Sequence, residues 1–138
     1  MTDEAPDTER HLPDDRSLVA VANRLESVLN DDLGGTLVGI AFYEDGEYDV
    51  AYRDDAASAR YTDSDVRAIM TNIQLDAIGA PAYEDHHGEP LRGTVRVYDT
   101  LVTVAVPVAE TAGIVVVLRN DGSHDPYSVI ETVETETA

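Results

Sequence analysis

The 138-residue sequence contains no cysteine and no lysine, and its nine basic residues are all arginine. Without cysteine, the chain cannot form a disulfide, use a thiolate nucleophile or build a cysteine-based zinc or iron–sulfur site. Without lysine, it lacks both Schiff-base chemistry and the lysine of a phosphate-binding P-loop. No other cofactor motif or catalytic nucleophile stands out, so we expect a protein that is not an enzyme and carries no cofactor.

The chain contains 28 aspartates and glutamates and only nine arginines, which gives a formal net charge of -19. This charge repels phosphates, so we expect no nucleic acid and no membrane among the partners. Adjacent acidic pairs number six, against about six expected by chance, so the acidity belongs to the surface as a whole. An acidic surface without lysine resembles that of proteins from extreme halophiles, in which molar salt screens charges over about 3 Å.

The length and the 43% hydrophobic content fit one globular domain with a single core. We expect this domain at 14–133, preceded by a disordered acidic arm at 1–13 and followed by a frayed tail at 134–138. Residues 1–30 show no basic start followed by an apolar run, which predicts a cytoplasmic protein. The apolar stretch 100–118 contains Glu110, Pro107 and Gly113, and predicts two buried strands instead of a membrane helix.

Apolar periodicity and turn residues predict eight elements along this domain. They are a helix that starts after Asp14 or Asp15 and ends at Gly34, strands at 36–43 and 47–53, a helix from Thr62 to Gly79, strands at 91–98, 101–107 and 113–119, and a short helix at 126–133. Three hairpins and one helical crossover predict an α+β fold with a five-stranded antiparallel sheet of order 2-1-5-4-3 and helices packed against its faces.

This topology resembles the roadblock/LC7 arrangement within the wider profilin-like group. The resemblance implies a non-enzymatic protein-interaction or regulatory module that forms a homodimer or docks on another protein. Three segments, Tyr48 to Asp55, Leu75 to Gly79 and Gly93 to Asp99, are also similar to a family of small haloarchaeal proteins of unknown function. That second resemblance implies a cytoplasmic domain of a halophilic archaeon and no particular activity.

The densest group of chemically versatile side chains lies in the segment 80–90, which we expect to be an acidic loop after Pro81. Glu84, His86, His87 and Glu89 are weak candidates for a metal site, and one histidine could act as the acid or base of a small hydrolase. The side chains of adjacent histidines in an extended chain point to opposite sides, and an exposed acidic loop explains the same residues.

Tyrosines and arginines on the strands are the candidates for an interface: Tyr48, Tyr52, Arg53, Arg96 and Tyr98. Packing at the edge of the core is the alternative for the tyrosines, and pairing with local carboxylates is the alternative for the arginines. A second possible function is a PAS-like sensor that holds a small ligand between the sheet and the helix at 66–77. A single short crossover helix leaves little room for such a pocket.

Overall fold

The computed structural model describes residues 17–138, so the arm expected at 1–13 and the helix start expected at Asp14 or Asp15 lie outside the described residues. The chain forms helices α1 (Leu18–Leu33), α2 (Asp55–Arg60), α3 (Asp63–His87) and α4 (Pro126–Thr137), and strands β1 (Leu37–Glu44), β2 (Glu47–Arg53), β3 (Thr94–Val97), β4 (Leu101–Ala109) and β5 (Ala112–Arg119). All neighbouring strands are antiparallel, in the order β2-β1-β5-β4-β3. The predicted fold class and strand order are confirmed.

The main core lies between the sheet and the pair of helices α1 and α4. Helix α1 starts after Ser17, whose hydroxyl accepts a hydrogen bond from the Ala20 N–H, and it buries one apolar stripe. Alternate residues of β4 and β5 meet this stripe, because successive side chains of a strand point to opposite faces. The core members are Leu18, Val21, Leu25, Leu29, Val102, Val104, Val106, Ile114, Val116, Leu118, Val129 and Val133. Each such burial contributes roughly 1.5–3 kcal/mol.

The hairpin between β1 and β2 has a two-residue turn in which both residues have positive φ, 54° for Asp45 and 88° for Gly46. This is the backbone of the tight hairpin turn predicted from the sequence. Beyond the turn, a bulge leaves Ala51 without a counterpart, since Ile40 pairs with Tyr52 and Ala41 with Val50.

The bulge changes which faces the β2 tyrosines occupy. Strict alternation would place Tyr48 and Tyr52 on one face, but Tyr52 packs against the core beneath α1, whereas Tyr48 packs with Tyr43 beneath α3. The one extra residue of a bulge reverses the direction of every side chain after it. Tyr48 and Tyr52 therefore lie on opposite faces of the sheet.

Helix α3 runs 25 residues to His87, so the prediction that it ends near Gly79 and becomes a loop at 80–90 was wrong. Its start is as expected: Thr62 and Asp65 form a capping box, with hydrogen bonds of 3.0 Å and 2.9 Å. Pro81 removes only one helical hydrogen bond, and the helix continues past it. It stops at Gly88, which has a φ of 71° and donates its N–H to the Glu84 carbonyl.

The second face of the sheet is covered by α2 and α3, but incompletely. Met70 and Ile73 of α3 are buried against Val115, and no residue of the helix after Ile73 is fully buried. On the opposite face, α4 extends to Thr137, so residues 134–137, which we expected to fray, are helical. No helix among residues 17–138 combines the length and the apolar character needed to cross a membrane.

Candidate interaction surface and adjoining cleft

Large hydrophobic side chains are exposed mainly along α3 and β3. Of the ten such side chains in residues 17–138, eight lie between positions 69 and 98. We call these eight residues the α3–β3 surface: Ile69, Leu75, Ile78, Tyr83, Leu91, Val95, Val97 and Tyr98. Ile78 and Val97 are the most open of its aliphatic members, at 75% and 67% exposure. Val95 and Val97 pair with Val104 and Val102, which face the main core, so these two valines lie on the sheet face opposite α3. Helix α3 reaches the same edge strand through the contact between Asp76 and Arg96. Such a concentration of exposed apolar side chains is typical of a binding site in soluble proteins.

Strand β3 also forms one edge of the sheet, because it pairs with β4 alone. Its outer backbone N–H and C=O groups therefore have no strand partner. Proteins usually protect such an edge with charges, prolines or a covering element. The single charged residue of β3 is Arg96, and its guanidinium donates a hydrogen bond to the Asp76 carboxylate of α3. The edge is thus short, apolar and open to a further strand.

Between α3 and the strands β3 and β4 lies a cleft of about 520 Å³. Its floor is formed by small residues of the sheet, Ala105 and Pro107, and its roof by Ile73, Ala77 and Pro81 of the helix. Pockets that hold small organic molecules are commonly in the range of about 300–1,000 Å³. The sequence predicted little room here because it predicted a shorter helix. The extension of α3 beyond Gly79 adds Pro81 and Glu84 to the lining.

Two ionic groups in the cleft are already engaged within the chain. Hydrogen bonding and charge attraction from Asp76 raise the pKa of Arg96, which remains a cation. The Glu84 carboxylate accepts a 2.7 Å hydrogen bond from the Leu91 N–H. Neither group is free to bind a ligand without giving up this partner.

Two other polar groups lack such partners. The Tyr43 side chain lines the cleft at only 4% exposure, and its hydroxyl makes no hydrogen bond to any of the residues 17–138. Burial raises the pKa of Tyr43, so the phenol stays neutral. At the rim, the Glu110 carboxylate makes no ion pair within the described part of the chain. The cleft therefore offers one buried hydroxyl without a partner in these residues, an exposed carboxylate at Glu110 and an apolar interior.

The five residues proposed from sequence as an interface do not come together. Tyr48, Tyr52 and Arg53 lie on β2, whereas Arg96 and Tyr98 lie on β3 or directly after it, at the opposite edge of the sheet. Only the second group adjoins the α3–β3 surface. The two groups cannot form one continuous binding face.

Three of the four residues considered for a metal, Glu84, His86 and His87, lie in the last turn of α3, and Glu89 lies in the connection after it. Within residues 17–138, no three side chains of the His, Asp or Glu type are gathered so as to hold a metal ion. His86 and His87 are adjacent on a helix, where neighbouring side chains diverge by about 100°. The Glu84 carboxylate already accepts a hydrogen bond from the Leu91 N–H, and Glu89 follows the helix.

A separate polar network joins the β5–α4 connection to the start of β1. The Thr36 hydroxyl donates to the Asp121 carboxylate at 3.2 Å and lies 3.1 Å from Nε2 of His124. Ser123 donates its hydroxyl to Asp121 and not to His124. The serine therefore lacks the adjacent base that nucleophilic catalysis requires, and the network serves to connect the two segments.

Sequence patterns missed most of the cleft and the α3–β3 surface. Leu75, Ile78 and Tyr83 fall outside the apolar stripe that predicts the packed face of α3. Apolar residues outside that stripe indicate a second apolar face of the helix, and this was the signal that the sequence contained. Tyr43 offered no signal, because a tyrosine in a strand is ordinarily a packing residue.

The comparisons with known proteins agree with this architecture. A family model described as a domain of unknown function, DUF7522, matches residues 23–138. No curated protein matches the chain in sequence. Among solved structures, an MglB with a tetrameric arrangement is similar at 18% identity and a TM-score of 0.58, covering 86% of this chain and 88% of that one.

Two further structures are similar. Myxococcus xanthus MglB shows 16% identity and a TM-score of 0.56, with 91% of this chain and 95% of that chain covered. A roadblock/LC7 domain from Streptomyces avermitilis shows 13% identity and a TM-score of 0.50, with 74% and 80% covered. At these identities the similarity establishes the fold alone. The chain belongs to the DUF7522 family, and its fold is similar to that of roadblock/LC7 domains.

Proposed function

We propose that this protein is a non-enzymatic, regulatory interaction module that associates with a second copy of itself through the α3–β3 surface. The observation that carries the proposal is the concentration of exposed hydrophobic side chains on one helix and the neighbouring edge strand. An exposed apolar strand edge can add a strand from another chain, which satisfies its free backbone groups and covers its side chains together.

Two features favour a second copy of this chain as the partner. A strand edge that pairs antiparallel with its own copy makes a two-fold interface, in which the same residues occur on both sides. Asp76 of α3 contacts Arg96 of β3, so pairing of two β3 strands would bring the two helices near each other. The tetrameric arrangement named for the similar MglB supports the idea that this fold assembles.

The charge of the chain sets the conditions for such association. Two copies with a net charge of -19 each repel strongly in dilute buffer. At molar salt the screening length is about 3 Å, and apolar contacts then decide the outcome. We therefore place the protein in the salt-rich cytoplasm of a halophilic archaeon, and we expect its acidic surface to exclude nucleic acid and membranes as partners.

The test is the molar mass in solution, measured by light scattering after size-exclusion chromatography in about 2 M KCl, where charge repulsion is screened. The native protein is expected at twice the monomer mass or a higher multiple. Ile78→Glu and Val97→Glu each place a charge within the α3–β3 surface and are expected to yield monomer. A native protein that remains monomeric up to millimolar concentration would refute self-association.

Val19→Glu is the matched control. Val19 is 55% exposed on α1, outside the α3–β3 surface, and is also a large hydrophobic residue. This variant has the same change of side chain and charge but is expected to keep the native mass. Circular dichroism of all three variants checks that the fold is retained.

A further inference from the structure

We propose that the cleft between α3 and the strands β3 and β4 binds a small organic cation, an amine that carries a compact apolar body. The inference is independent of self-association, because it rests on the interior of the cleft and not on the α3–β3 surface. Three of its features carry the argument: the Tyr43 hydroxyl, the backbone carbonyl opposite Pro81 and the balance of charge between its apolar walls.

The first feature is the Tyr43 hydroxyl. It belongs to a residue that lines the cleft and is only 4% exposed, and it has no hydrogen-bond partner among residues 17–138. Leaving a buried hydroxyl unsatisfied is unfavourable, and such groups in native proteins usually have a partner that has not been identified. The oxygen of a neutral phenol can accept a hydrogen bond from an ammonium group.

The second feature is a backbone acceptor produced by Pro81. In a regular helix the carbonyl of Ala77 accepts a hydrogen bond from the N–H of residue 81. Proline has no N–H, so this carbonyl loses that partner, and both Ala77 and Pro81 line the cleft. The proline in α3 thus leaves this carbonyl without its helical donor, in a residue that lines the cleft.

The third feature is the balance of charge. The ionisable side chains in the cleft are three carboxylates and one guanidinium, and Arg96 is already paired with Asp76. Glu110 contributes a carboxylate with no ion-pair partner in the described residues. An anion would meet uncompensated negative charge, whereas an ammonium would meet oxygen acceptors. The walls between these groups, Ala105 and Pro107, accept an apolar body.

The experiment is a titration of the labelled full chain followed by two-dimensional amide NMR, in moderate and in high salt. The probes are phenethylamine, its neutral counterpart phenethyl alcohol and its anionic counterpart hydrocinnamate. Phenethylamine is expected to give saturable shifts at Ala77, Ala105 and Glu110, and to bind about tenfold more tightly than hydrocinnamate. High salt should reduce this difference in affinity between phenethylamine and hydrocinnamate, because it screens the negative charge of the carboxylates.

Two variants test the named groups without altering the packing of the sheet. Tyr43→Phe removes only the unpartnered hydroxyl, and Glu110→Gln removes only a charge at the rim. Each is expected to weaken phenethylamine binding about fivefold or more, as loss of a hydrogen bond or an ion pair to a charged group does. Glu26→Gln, on α1 at the opposite face, is the control and should leave binding unchanged.

Four results would overturn the proposal: no saturable shift, shifts centred outside the cleft, equal binding of hydrocinnamate, or no effect of either variant. A fifth result would also overturn the proposal, namely binding of phenethylamine by Val97→Glu but not by the native protein. That result would mean that the second copy closes the cleft in the native protein, so that the cleft belongs to the self-association interface.

Discussion

The aromatic ring of Tyr43 lies directly over Gly113 on the neighbouring strand. The two residues are cross-strand partners in the β1–β5 pair. A Cβ atom at position 113 would stand 2.5 Å from the Tyr43 hydroxyl oxygen and 2.7 Å from two ring carbons. The ring can occupy this place only because Gly113 has no side chain, and its hydroxyl is thereby held over the sheet beside the cleft.

This contact predicts that Gly113→Ala destabilises the protein. The added methyl group must displace a buried ring, and overpacking of a core costs about 1–3 kcal/mol. The free energy of unfolding, measured by urea denaturation at high salt, should fall by that amount. Gly79→Ala is the control, because no atom lies within 4 Å of the added carbon and alanine favours a helix by about 0.5–1 kcal/mol. Equal stability of the two variants would contradict the packing described.

Asp54 gives a prediction on pH dependence. Burial alone would raise its pKa, but hydrogen bonds from the Ala57 N–H and from the Arg119 guanidinium outweigh burial and lower the pKa. A pKa lower in the folded than in the unfolded state means that the carboxylate stabilises the fold at neutral pH. This contribution is lost as the pH falls from about 4 through the folded pKa.

Two substitutions at position 54 separate its roles. Asp54→Ala removes both the N-cap of α2 and the ion pair, and should cost about 1–2 kcal/mol at neutral pH. Asp54→Asn keeps a capping side chain and should cost less. In both variants the acid loss of stability, followed by urea midpoints from neutral pH to pH 3, should be shallower than in the native protein. Asp32→Asn, at the exposed end of α1, should leave the slope unchanged.

Pro81 predicts a local difference in the stability of α3. Its ring removes the hydrogen bond to the Ala77 carbonyl, and the helix beyond it has few buried residues. Amide hydrogens at 82–87 should therefore exchange with solvent faster than those around Met70. Pro81→Ala should slow exchange at 82–87 by restoring the missing bond. Unchanged exchange in this variant would show that the proline does not weaken the helix.

The sequence was sufficient to predict the sheet. The Asp45-Gly46 turn, the capping box at Thr62 and the doubly apolar β5 are local signals, and each corresponds to a local feature of the structure. Together with the rule that sequential strands pair, they led to the correct strand order. These features depend on a few neighbouring residues, which is why sequence patterns identify them.

The features that shape the candidate site are not decided by a few neighbouring residues, so local patterns in the sequence do not identify them. Gly79 and Pro81 are common helix-ending signals, yet the Gly88 cap stops the helix two turns later, because the loss of one hydrogen bond does not outweigh continued helix formation. The bulge at Ala51 has no marker in the sequence, and it places the two β2 tyrosines on opposite faces of the sheet. The cleft depends on the longer helix, so a sequence pattern that ends α3 at Gly79 does not predict it.

The central claim, that the protein associates through β3, is tested most directly by amide hydrogen exchange of the native chain as a function of concentration. The two edge strands provide an internal comparison, because β2 and β3 lie at opposite ends of the same sheet. On raising the protein concentration at high salt, the outer amides of Thr94–Val97 should become protected, while those of Glu47–Arg53 should not change. Protection that is independent of concentration at β3, or that appears at β2 instead, would contradict the account.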